Sequence, residues 1–249
     1  MHMNIWQVIF LALLQGVTEL FPISSLGHTV IIPGLLPQVF PVDFATNTAC
    51  GGKSCFLPVV TALHLGTSIA LLLYFWRDWL QVIMTLVNSI KRAEIRKDSE
   101  EWVGWLIIIG CVPGMIVGVI LQEYADKLFS SALIAAGFLV VNGSVLFVGE
   151  AMRKRAEAKF ALSRASSKAR EASFRPLSSL TWKEALIVGA CQALALIPGI
   201  SRSGVTMVGG LGVRLSHEDA ARYSFLLGTP LILGAALLEV PQLIGQNGS

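Results

Sequence analysis

The stretch Gln15-Gly-Val-Thr-Glu19-Leu-Phe-Pro22-Ile-Ser24-Ser25-Leu-Gly27-His28-Thr29 is a polar interruption in apolar sequence, and the chain writes it twice. The second copy reads Gln192-Ala-Leu-Ala-Leu196-Ile-Pro198-Gly199-Ile-Ser201-Arg202-Ser203-Gly204-Val-Thr206. Laid on each other without gaps, Gln15 meets Gln192, Ser24 meets Ser201, Gly27 meets Gly204 and Thr29 meets Thr206. A proline inside an apolar helix removes a backbone donor and clashes with the preceding turn, so both copies predict a broken helix. Polar and ionisable side chains are costly in hydrocarbon. Their recurrence at matching places in two halves marks a site. Duplicated, Gly/Pro-interrupted apolar segments are also the signature of internally repeated membrane folds.

Composition sets the class. Of 249 residues, 54% are hydrophobic and only 14% charged, with a mean hydropathy of +0.67. Soluble domains carry roughly a quarter charged residues, so this excess calls for lipid. Apolar stretches long enough to cross a bilayer lie at 56–76, 102–121, 129–148 and 223–243. The expectation is an all-α polytopic integral membrane protein. No Lys or Arg precedes Lys53 and Glu19 interrupts the first apolar run, which argues against a cleavable signal peptide. Cys111 and Cys191 sit in apolar segments as packing residues. Cys50 and Cys55 bracket a short loop, where a disulfide ring and a reduced pair both stay open; no second ligand pair suggests zinc.

Charge orients the chain. Residues 150–175 hold eight Lys/Arg against three Glu, and residues 91–101 hold four basic and four acidic side chains. The Lys/Arg bias places the 91–101 and 150–178 loops in the cytoplasm. A nucleic-acid arm is excluded for the basic loop, which lacks interleaved aromatics and lies between membrane segments. The reading is one membrane domain over 1–249: repeat one at about 4–90, a central hairpin at 102–149, the basic loop at 150–178 and repeat two at about 182–245. Leu65-Gly66-Thr67 and Leu227-Gly228-Thr229 are a second matched pair, in the same order as the motifs. Segment 57–76 runs toward the cytoplasm and 222–243 away from it, which predicts an inverted-topology repeat. Each motif is a re-entrant hairpin or one kinked spanning helix; hydropathy leaves both open.

The motifs divide their chemistry. Gln15 and Glu19 share a helix face at i,i+4. Pro22 stops that helix, and Ser24 or Ser25 caps the next, whose free N–H groups and dipole favour an anion. His28 lies one turn beyond. In the second copy Arg202 replaces Ser25 and brings a planar fork suited to phosphate, while Ser203 and Thr206 add hydroxyls. Leu196 stands where Glu19 stands in the first copy. One half reacts and the other clamps charge, which suits phosphoryl transfer. Taken singly, a membrane Ser or Thr is helix-packing glue. His64, alone beside Leu65-Gly66-Thr67, reads as structural, and His2 and His217 carry no signal.

At these residues the sequence resembles the undecaprenyl-diphosphate phosphatases, also called bacitracin-resistance proteins. The resemblance rests on Gln15-Gly-Val-Thr-Glu19, Phe21-Pro-Ile-Ser-Ser25-Leu-Gly-His28, Pro198-Gly-Ile-Ser-Arg202-Ser-Gly-Val-Thr206, His64-Leu-Gly-Thr and Tyr74-Phe-Trp-Arg-Asp78. It implies an inner-membrane hydrolase that converts undecaprenyl diphosphate to undecaprenyl phosphate and inorganic phosphate. That recycles the lipid carrier for the cell wall and confers bacitracin resistance. It further implies a site open to the outer face and a divalent cation, commonly Mg2+. By the same resemblance Glu19 is metal ligand or general base with Gln15 as its weaker companion. Ser25 is the nucleophile and His28 its proton partner, with His28 as nucleophile the alternative. Arg202 clamps phosphate with Ser24, Ser201, Ser203 and Thr206. Gln15 stands where many members carry a second glutamate, and members continue through further helices past the position of Ser249. A transporter or flippase of polyprenyl phosphate lipids is the competing class, and a homodimer is an open expectation.

Overall fold

A computed structural model of the chain describes residues 4–40, 56–97, 99–129, 131–162 and 174–246. These residues form α1 (Ile5–Leu20), α2 (Ser25–Leu35), α3 (Phe56–Tyr74), α4 (Trp76–Arg92), α5 (Glu100–Phe129), α6 (Ala132–Leu162), α7 (Trp182–Ala193), α8 (Arg202–Gly212) and α9 (His217–Gln246). Short 3-10 turns cover Leu177–Ser179 and Leu194–Leu196. Cys50 and Cys55 lie outside the described residues.

Both motifs fold as helix, break, helix. α1 starts on an Asn4–Gln7 capping box and ends just before Phe21-Pro22. Ser24, held at a φ of 71°, then caps α2 by accepting the Gly27 N–H at 3.3 Å. In the second motif α7 starts on a Thr181–Glu184 capping box and passes through the 3-10 turn into Pro198-Gly199. Ser201 caps α8 by accepting the Gly204 N–H at 3.2 Å. The side-chain caps replace the backbone partners that the first turn of a helix lacks. α1 packs against α2, and α7 against α8. Two short helices folded on each other at each break favour the hairpin over one kinked span.

Around them stand the long helices. Residues 100–121, 132–155 and 217–237 are apolar and long enough to cross a membrane, and α3 and α4 add a fourth apolar pair bent by 78°. The chain is a multi-pass, all-helical membrane protein. α9 packs against α3, α5 and α8; α5 packs against α4 and α7; α6 seats α2 and α8. The core joins α5 and α9 to the 174–180 segment: the Trp102 indole donates to the Leu180 carbonyl at 2.6 Å, and the Tyr223 hydroxyl to the Leu106 carbonyl at 2.8 Å. An Arg222–Asp78 ion pair ties α9 to the start of α4.

Two boundaries differ from the sequence reading. The first span ends at Tyr74 and turns into α4, whose start anchors to α9 through Asp78. The central hairpin, read as 102–149, reaches into the 150–178 segment, because α6 continues to Leu162. The segment's Ala, Lys, Arg and Glu are strong helix formers, and Arg153 and Lys154 pair with Glu150 one turn back.

Candidate active site

Glu19 closes the last turn of α1, and the residue is only 7% exposed. Its carboxylate joins the two motifs. The Ser25 hydroxyl donates to Oε2 at 2.5 Å, and Arg202 Nη2 donates to Oε1 at 2.9 Å. His64 Nε2 lies 3.3 Å from Ser25 Oγ and 3.4 Å from Glu19 Oε2. Arg202 Nη1 also donates to the Ser224 carbonyl at 3.1 Å, which fixes the guanidinium from α9. A buried ion pair that loses one member strands a charge, at a cost of about 3–5 kcal/mol. Glu19 and Arg202 therefore hold each other in place. The break between α1 and α2 explains the closeness of Glu19 and Ser25: the chain reverses there, and a residue that would lie beyond the helix end turns back onto it.

His64, expected as structural, lies within reach of both Ser25 and Glu19. Its Nδ1 bonds the Val60 carbonyl at 2.8 Å one turn back, which turns Nε2 toward Ser25 and Glu19. The available signal was its place directly before Leu65-Gly66-Thr67, the element matched in the second half. His28, expected beside the Ser25 hydroxyl, bonds the Ser24 carbonyl through Nδ1 at 2.7 Å instead. Within α2 that i,i+4 carbonyl is its nearest acceptor, while Ser25 Oγ is turned toward α1.

The other predicted hydroxyls build the frame. Ser24 and Ser201 are caps. Ser201 Oγ lies 3.2 Å from Ser203 Oγ, and Ser203 donates to the Glu19 carbonyl at 3.3 Å. Thr206 donates to the Arg202 carbonyl at 2.7 Å and meets Ser224 Oγ at 2.5 Å. Gly228 went unassigned in the sequence reading: a methyl there would overlap the Arg202 guanidinium. The second Leu-Gly-Thr element thus makes room for the arginine, as the first brings in His64.

Gln15 does not pair with Glu19. Its Oε1 accepts the Thr67 hydroxyl at 2.6 Å, its Nε2 has no partner, and the side chain is 1% exposed. The donor set does not fit a preformed divalent-cation site. It offers one carboxylate with both oxygens engaged and one amide oxygen already taken, and among the described residues no three His, Cys, Asp or Glu cluster.

The two motifs thus gather a serine hydroxyl, a buried carboxylate, an imidazole and an arginine fork at one place in a membrane protein, the residue types that phosphoryl-transfer chemistry draws on. Along residues 8–249 the chain matches the family described as bacitracin resistance protein BacA, and it belongs to that family. It is 38% identical over 252 residues to an undecaprenyl-diphosphatase of Mycolicibacterium paratuberculosis, covering 100% of this chain and 81% of the relative. It is 44% identical over 242 residues to that of Granulibacter bethesdensis, covering 97% and 77%. With that of Acidiphilium cryptum the identity is 41% over 236 residues, covering 95% and 75%.

Proposed function

We propose that the chain hydrolyses undecaprenyl diphosphate to undecaprenyl phosphate and inorganic phosphate. Recycling of the lipid carrier for cell-wall synthesis, and bacitracin resistance, follow from that reaction. The observation that carries the reading is the Ser25–Glu19–Arg202 network across the two broken helices. Ser25 Oγ attacks the terminal phosphorus. A new Oγ–P bond forms as the bond from that phosphorus to the bridging oxygen breaks, and the bridging oxygen leaves on undecaprenyl phosphate. The hydroxyl proton passes to Glu19 Oε2, its 2.5 Å partner, with His64 Nε2 as the adjoining acceptor. Water then attacks the phosphoserine, inorganic phosphate departs and the serine regains its proton. Arg202 spends two donors on Glu19 and Ser224, which leaves further N–H groups of its fork for phosphate oxygens.

A divalent cation, where the reaction uses one, would be held by the substrate diphosphate rather than by a preformed protein site. Mg2+ keeps several waters and binds through few carboxylates plus substrate phosphates, so the diphosphate brings what the protein lacks. Calorimetric titration of the protein alone with Mg2+ is expected to show no binding. The setting is the bacterial inner membrane, with the basic loops cytoplasmic, the two hairpins entering from opposite faces and the site opening outward.

Phosphate release from undecaprenyl diphosphate in detergent tests the reaction. The wild type is expected to release phosphate, and Glu19→Ala and Arg202→Ala to lose at least 100-fold. Absence of release by the wild type would overturn the proposal. Counterflow of lipid phosphate that survives Glu19→Ala would make the chain a transporter.

A further inference from the structure

The two breaks are held together from outside by one amide. Asn142 lies in α6 between Val141 and Gly143, within an apolar run, and its side chain is 2% exposed. A buried carboxamide in such a helix is costly unless both of its ends are used. Here both are. Nδ2 donates to the Pro22 carbonyl at 3.2 Å, and Oδ1 accepts the Ser201 N–H at 2.9 Å. Pro22 lies between Glu19 and Ser25 in the first break; Ser201 directly precedes Arg202 in the second. Residues 120 positions before Asn142 and 59 after it therefore meet on one side chain.

The same face of α6 supports this seat. Ala135, Leu139, Asn142 and Leu146 follow the i, i+4, i+7, i+11 stripe of one helix face. A methyl added at Gly27 would lie 3.2 Å from both Leu139 and the Gly199 backbone, and one at Gly204 3.1 Å from Leu146 and 3.2 Å from the Pro22 carbonyl. With the breaks packed this closely, a shift of either one moves Glu19 relative to Arg202. Asn142 touches none of the four reacting groups directly.

We infer that Asn142 is a positioning residue: its amide reads one backbone group from each break and sets the register of Glu19 and Ser25 against Arg202. The inference rests on the proposed phosphatase reaction for its kinetic readout only. A misplacement of about 1 Å costs on the order of 10²-fold in rate. Asn142→Leu, close in volume and unable to make either bond, is expected to lower kcat by about 30–100-fold. KM should move by less than about threefold, because the phosphate-binding groups remain.

A double-mutant cycle with Arg202→Lys separates positioning from general destabilisation. If Asn142 acts through the Glu19–Arg202 register, Asn142→Leu costs less than about threefold in the Arg202→Lys background. Full multiplication of the two losses, or wild-type kcat in Asn142→Leu, overturns the inference. A distance measurement needs no turnover. Spin labels at the exposed positions 17 and 187, in a chain freed of its native cysteines, report on the two hairpins. A single narrow distribution in the parent should broaden or shift in Asn142→Leu; an unchanged distribution also overturns the inference. Failure of the wild type to hydrolyse the lipid would sink the functional reading alone, and the distance measurement would still decide the role of Asn142. Should Asn142→Leu not fold, Asn142→Ser, smaller and still polar, goes through the same two measurements.

Discussion

The Glu19 carboxylate accepts from one group of the first motif and one of the second, and its neighbours differ in what they can lose. Glu19→Gln keeps the shape but gives up the charge that holds Arg202, so phosphate release should fall by at least 100-fold with the fold retained. Arg202→Lys keeps the charge and loses the fork that reaches both Glu19 and Ser224; a loss of about 10–100-fold is expected, because a point charge does not replace a planar fork. The two histidines should separate in the same assay. His64→Ala, which removes the ring beside Ser25, should cost at least tenfold, whereas His28→Ala should cost less than threefold. Equal losses would return His28 to the centre of the site. Gly228→Ala should mimic an arginine mutant without touching the arginine, since its methyl takes the guanidinium's space. Much of this was legible in the sequence, because Glu19, Ser25 and Arg202 stand at prolines in a doubled motif. His64 was legible only by its place before a matched Leu-Gly-Thr element, because a lone histidine in an apolar helix carries no local mark of what faces it.

At the scale of elements, each break is a stop and a start written in a few residues. Pro22 and Pro198-Gly199 end one helix, and Ser24 and Ser201 begin the next; such cap chemistry is local, which is why the sequence reading placed it well. Gly199 sits at a φ of 96°, and a side chain there would overlap the Ala135 carbonyl of α6. Gly199→Ala should therefore displace the second break and lower both thermal stability and activity, while Ser24→Ala should mainly loosen the start of α2, by about 1 kcal/mol. Melting in detergent with parallel phosphate assays distinguishes the two. The contribution of α6 was hidden from the sequence, because Asn142 belongs to neither motif and its two partners are distant along the chain.

Over the whole molecule, long apolar helices surround two short hairpins, and a polar clasp finishes the second hairpin's entrance. Arg175 reaches from the end of the basic segment to Glu184 at 2.7 Å, and its backbone N–H pairs with the Arg214 carbonyl at 2.9 Å. Partial burial works against ionisation of Glu184, but the Arg175 and Thr181 hydrogen bonds prevail and hold its carboxyl below the usual range. A carboxyl with a depressed folded pKa contributes stability above its unfolded value, about 4.3, and loses it as pH falls through the folded one. The wild type should thus melt above Glu184→Gln at pH 7, with the gap closing below about pH 4. The membrane class was legible from composition alone. The end of the first span was not, because Tyr74-Phe75-Trp76 is apolar on both sides of the bend and the Arg222–Asp78 tie lies in tertiary space.

The two members of the Glu19–Arg202 pair are 183 positions apart. During synthesis the first half emerges with its serine and carboxylate but without the cation that balances them, and the arginine arrives only after α6 has been made. Competence is therefore a late event in biogenesis, reached when the second hairpin docks. Two coexpressed fragments divided after Leu162 should each be inert and should recover hydrolysis only together. Such complementation would make the site a reporter of its own assembly.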